Sequence, residues 1–121
     1  MKKILTGIVL ALTLSACSNG AKLQSGDYAD AATTAVGVAL GHTEVNPLLG
    51  AAPDAAIPVA ALGFKYAVKA GMIEAGYPVE QANKTVNSVS WGAACHNLVI
   101  LAGGPHPIGI AAGIGCWFLT K

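Results

Sequence analysis

His42, His96 and His106, together with Glu44, are the side chains of this 121-residue sequence with the chemistry to hold a zinc-like ion, since imidazole and carboxylate are both competent ligands. Their spacing argues against it. His42 and Glu44 fall in a break between helical runs, His96 sits within one, and His106 lies between Pro105 and Pro107, so no His-x-x-x-His pair forms. No metal site is expected. Cys95 beside His96 offers a thiol and a base, but adjacent helical residues point about 100 degrees apart and cannot face each other. Thr85, Ser88 and Ser90 lack a nucleophile elbow, and no phosphate loop or dinucleotide fingerprint occurs. The chain reads as non-enzymatic, without a cofactor.

The remaining polar residues lie in stripes. Asp27, Asp30, Thr34, Gly37 and Gly41 follow one another at intervals of 3, 4, 3 and 4, and Asn83, Asn87, Ser90, Ala94 and Asn97 at 4, 3, 4 and 3. Each set shares one face of a helix. Lys65 and Lys69 are also four apart and share a face. In water such stripes are the solvated faces of amphipathic helices. In a membrane they turn inward, Asp30 pairing with Lys65 or Lys69 while the asparagines hydrogen-bond across helices. The two settings predict opposite orientations.

The elements that must carry these stripes are helices. Hydrophobic residues make up 54% of the chain and charged ones 11%, and 23 alanines with 15 glycines leave few large side chains. Ordinary domains are about a quarter charged. A net charge of +1 without a basic cluster excludes a nucleic-acid partner. Asp27 is suited to cap a helix over 27–41, which Gly41 would end. Further helices are predicted over 54–75, 78–102 and 107–119, separated by Gly/Pro breaks. No run alternates with period two, so strands are disfavoured. The expected fold is all-α, a small four-helix bundle over residues 27–121, membrane-embedded or membrane-apposed. Lys65, Lys69 and Glu74 each need a partner or a wet cavity if the second helix is embedded. Gly109-x-x-x-Gly113 has the small-residue spacing that lets helices approach closely.

Lys2 and Lys3 precede an apolar stretch from Ile4 to Leu14, which meets the requirements of an export signal and is too short to span a bilayer. Leu14-Ser15-Ala16-Cys17 then resembles the lipobox of bacterial lipoprotein precursors. That resemblance implies a signal peptide over 1–16, lipidation of Cys17, and a lipid anchor on the exported face of the cell envelope. Ser18, where an Asp would signal inner-membrane retention, permits outer-membrane sorting; helices that span would instead place the chain in the inner membrane. Residues 17–26 have a flexible tether's composition. Loss of 1–16 leaves five lysines against six acids, a net charge of −1.

The string from Asp30 through Thr34 and Gly41 to Glu44, Asn46, Pro47 and Leu48 resembles the DUF5658-like small multi-helix membrane proteins of unknown function. The resemblance implies a polar cluster of Asp30, Thr34, Glu44 and Asn46, which Asn87 and His96 would extend. With Cys17 assigned to lipid, Cys95 and Cys116 flank the third helical break at similar depth, and either a disulfide or two buried thiols fits that placement.

Three functions follow as expectations. One is a lipid-anchored envelope protein acting through helix-helix contacts with a protein partner or as a homo-oligomer. Another is the holding of an ion or small polar ligand by the interior cluster. The last is a soluble tethered bundle with an inhibitory or phage-exclusion role.

Overall fold

The computed structural model describes residues 19–42, 49 and 51–121. The signal segment, Cys17, Glu44 and Asn46 lie outside the described residues. Four helices carry the fold: α1 over Ser25–Ala39, α2 over Ile57–Glu74 after a 3-10 turn at Asp54–Ala56, α3 over Val79–Leu101, and α4 over His106–Thr120. No strand occurs among the described residues. The all-α four-helix expectation holds, with boundaries shifted by a few residues.

Helix ends follow from local chemistry. Asp27 does not cap α1. The helix starts earlier, Gln24 is its N-cap, and Asp27 stands in the first turn, where its Oδ2 accepts the Gln24 backbone N–H at 2.8 Å. At the other end His42 N–H donates to Gly37 O and Gly41 N–H to Val38 O, with Gly41 at φ +88°. That paired pattern needs a left-handed residue, which glycine adopts without steric cost. Gly76, at φ +98°, ends α2 in the same way.

The helices run antiparallel in sequence. One end of the bundle, the tether end, gathers Asn19, Glu74 and the starts of α1 and α3. Ser88 Oγ donates to Thr120 O at 2.8 Å, so α4 ends level with the tenth residue of α3, where Gly26 at the start of α1 meets Asn87. α3 is the central element, packing on α1 and on α4, while α2 rests against α1 and α3. Residues 19–24, expected to be a loose tether, are held against the bundle. Asn19 Nδ2 donates to Ala70 O, Lys22 N–H to Asn83 Oδ1, and Asn83 Nδ2 to Gly20 O.

Burial is inverted relative to a water-soluble bundle. The largest fully buried side chains are Lys69, Asn83, Asp27, Ser88 and Ser90, and six of the eight buried hydrophobic residues are alanines. The large apolar side chains point outward instead, among them Val36, Val59, Val89, Leu98, Ile110, Ile114 and Phe118, each at least half accessible or close to it. Soluble domains also expose apolar atoms, but fully buried charges are rare in them unless paired. Both polar stripes therefore face inward, the orientation expected of a membrane setting.

Candidate functional site

The interior polar groups form two connected tiers and a cavity. The first tier lies near the tether end. Asp27 on α1 and Lys69 on α2 form an ion pair in which both side chains are wholly inaccessible. Asp27 Oδ1 also accepts Ser90 Oγ–H at 2.8 Å, and the Lys69 ammonium donates to Lys22 O at 2.8 Å. Buried charges are tolerated when paired and further hydrogen-bonded in this way. Beside it, Gly26 N–H donates to Asn87 Oδ1 at 2.7 Å, and a Cβ on Gly26 would stand 2.4 Å from Asn87 O. Glycine is thus required where α1 meets α3.

One helical turn further in, Asp30 pairs with Lys65, Oδ2 to Nζ 2.6 Å. Asn97 Nδ2 donates to Asp30 Oδ1 at 3.1 Å and to Thr33 Oγ1 at 3.0 Å, and lies 3.4 Å from Thr34 Oγ1. The three- and four-residue spacings on α1 and α2 place the two ion pairs one above the other.

Beyond this second tier the helices part around a cavity of about 630 Å³, within the usual range for small-ligand sites. Asp30, Lys65, Thr34 and Asn97 line its polar side, and Val38, Phe64, Ile100 and Leu101 its apolar side. His42, His96 and His106 line it as well. The His96 and His106 rings stack with centroids 5.6 Å apart. Among the described residues no group of three His, Cys, Asp or Glu side chains has the placement to hold a metal ion.

The predicted cluster therefore divides. Asp30, Thr34 and His96 share the cavity, whereas Asn87 belongs to the tether-end network against Gly26. Glu44 and Asn46 fall outside the described residues. Asp30 takes Lys65 of its two candidate partners, because Lys69 is already committed to Asp27. Sequence reasoning missed that second pairing and the convergence of the three histidines, whose separation in the chain gives no periodic signal.

Cys95 and Cys116 form a disulfide, with Cα atoms 6.5 Å apart. It ties α4 to α3 beside the closest helix contact, where a Cβ on Gly113 would stand 2.8 Å from Gly92 O. The Gly109-x-x-x-Gly113 spacing is thus used inside the molecule, against His96 and Gly92.

Comparison with known proteins adds the N-terminal identity. Residues 1–18 match the family described as prokaryotic membrane lipoprotein lipid attachment site, which supports a lipid-anchored bacterial envelope protein attached through its cysteine. No curated protein and no solved structure matches the chain, and the likeness of residues 30–48 to DUF5658-like proteins gains no support.

Proposed function

We propose that this chain is a non-enzymatic lipoprotein whose helical bundle is seated in the membrane that carries its lipid, and that it acts there through helix-helix contacts with an envelope partner or a second copy. The observation that carries this reading is the inverted burial: charged and amide side chains pair inside, and branched aliphatic side chains face out. Its orientation has support as well. Of the exposed charged residues described, Lys22, Glu74, Glu80, Lys84 and Lys121 belong to segments meeting at the tether end, and only Asp54 lies at the other. The charged end and the lipid on Cys17 would share one interface on the exported face. From Lys84, the last of these charges on α3, the helix continues to Leu101 for about 25 Å at ~1.5 Å per residue, most of the depth of a hydrocarbon core of ~30 Å. The segment Asp54–Glu74 has the length and mean hydropathy, 1.3, of a membrane-crossing helix.

The test is export of the Cys17→Ser chain behind a conventionally cleaved signal, followed by carbonate washing of the membranes. Retention in the pellet is the expected result. Release as a monodisperse soluble protein overturns the embedded reading and leaves the tethered soluble bundle in its place. A second role, holding a small polar ligand, is favoured by the cavity that Asp30 and Lys65 border.

A further inference from the structure

We infer that the lipid on Cys17 docks on the protein's own surface, one acyl chain lying down the outer flank of α2 over Gly71, Ala67 and Phe64; this deepens the membrane-seated reading and rests on it. The segment before α1 sets the place. Gly20 O accepts from Asn83 Nδ2 and Lys22 N–H donates to Asn83 Oδ1, so both are held by α3. Asn19 Nδ2 donates instead to α2, at Ala70 O (3.1 Å) and Glu74 Oε1 (3.3 Å), and Ala21 packs between on Tyr66 and Ala70. Followed toward its start, the segment therefore passes from α3 onto α2. Only Ser18 separates Asn19 from Cys17 in the lipid attachment motif, which confines the Cys17 Cα to within about 7 Å of that of Asn19. The lipid enters beside the last turn of α2.

Depth and shape then select the flank. Half of a ~30 Å hydrocarbon core is about 15 Å, or ten residues of helix at ~1.5 Å each, the distance from Ala70 back to Ala60. Over that length Ala60, Phe64, Ala67, Gly71 and Glu74 follow at intervals of 4, 3, 4 and 3 and share one face. Ala67 and Gly71 are exposed, and a Cβ on Gly71 would meet no atom within 4 Å, so no other part of the protein covers them. Small side chains there leave a shallow channel, with the exposed Val68 as a ridge beside it, in which an aliphatic chain approaches the helix backbone closely. Attachment makes the contact intramolecular, so it needs no high intrinsic affinity. The outward side of α4, with bulky Ile110, Ile114 and Phe118 and its main contact on α3, is the surface for comparison.

The full lipidated chain, produced in cells fed a palmitate bearing a terminal diazirine, is placed one copy to a nanodisc and irradiated. Crosslinks that join the Cys17 lipopeptide to another peptide are mapped. Those to residues 60–71 should outnumber those to 108–119 about tenfold. A Gly/Ser insertion of about ten residues between Ser18 and Asn19 leaves the bonds of Asn19, Gly20 and Lys22 in place and adds a mean reach of about 17 Å. With that insertion the excess should fall to within about twofold, while formation of the Cys95–Cys116 bridge verifies the variant's fold. Equal crosslinking to both helices in the unaltered chain, or an excess that the insertion leaves unchanged, overturns the docking. Crosslinks to neither helix overturn it too: if the Cys17→Ser chain is still retained by carbonate-washed membranes the embedded reading survives that loss, and if the chain is released both fall.

Discussion

The Lys69 ammonium and the Asp27 carboxylate meet in a contact from which solvent is wholly excluded, on helices whose outer faces are aliphatic. Each partner has further hydrogen bonds, Asp27 to Ser90 and to the Gln24 amide, Lys69 to the Lys22 carbonyl. The pair consequently fixes three things at once: the start of α1, the approach of α2, and the path of the segment that leads toward the lipid. A buried pair of this kind contributes little net stability over an apolar replacement, yet breaking it strands a charge.

Lys69→Met should therefore destabilise the bundle by about 3–5 kcal/mol, the cost of an uncompensated buried carboxylate. Asp27→Asn/Lys69→Met should recover part of that loss, because the amide keeps an acceptor for Ser90 without a charge. A double-mutant cycle of denaturant or thermal unfolding in detergent measures the coupling, expected at about 0.5–3 kcal/mol for residues sharing one network.

Helix number and the polar stripes were legible because both depend on local spacing. Asp27, Asp30 and Thr34 fall on one face at any helix boundary, and Gly41, Gly76 and Gly103 stop helices through their own backbone freedom. The direction those stripes face was not legible, since the same periodicity serves a solvated face or a buried one. Nor was the start of α1: Asp27 has the chemistry of a cap, but its tertiary partner Lys69 holds it inside the first turn. The cavity was hidden for another reason. His42, His96 and His106 come from three separate segments, and only the packing of α3 beside α1 and α4 brings them to one space.

Gly113→Ala should destabilise by about 1–3 kcal/mol, the usual range for an overpacked contact, because its Cβ would stand 2.8 Å from the Gly92 carbonyl oxygen. Gly115→Ala, two residues on, is the matched control. A Cβ there meets nothing within 4 Å, and alanine's helix propensity should raise stability by up to about 1 kcal/mol. Thermal unfolding of the two variants side by side separates close packing from propensity.

The Cys95–Cys116 bridge closes a separation of 21 residues, for which loss of loop-closure constraint is worth about 3 kcal/mol. Cys95→Ser/Cys116→Ser should lower the unfolding midpoint accordingly and loosen α4, whose main partner is α3. Protease sensitivity should appear first within His106–Thr120. A change in mobility on non-reducing gels after reduction of the wild-type chain verifies the bridge directly.

A charge placed on the outer surface discriminates between settings more sharply than any interior change. Ile114 is 49% exposed near the middle of α4 and faces away from α3, whose contact is made by Gly109 and Gly113. If that face lies among acyl chains, Ile114→Asp carries an insertion penalty of about 2.5–3.5 kcal/mol. In water the same substitution on an open helix face falls within about 0.5 kcal/mol of neutral. Carbonate retention of the Cys17→Ser chain with and without Ile114→Asp reads the difference without requiring a refolding equilibrium. Because the substitution leaves Asp27, Lys69, Asp30 and Lys65 untouched, a fall in retention with unchanged disulfide formation assigns the effect to the surface and its surroundings.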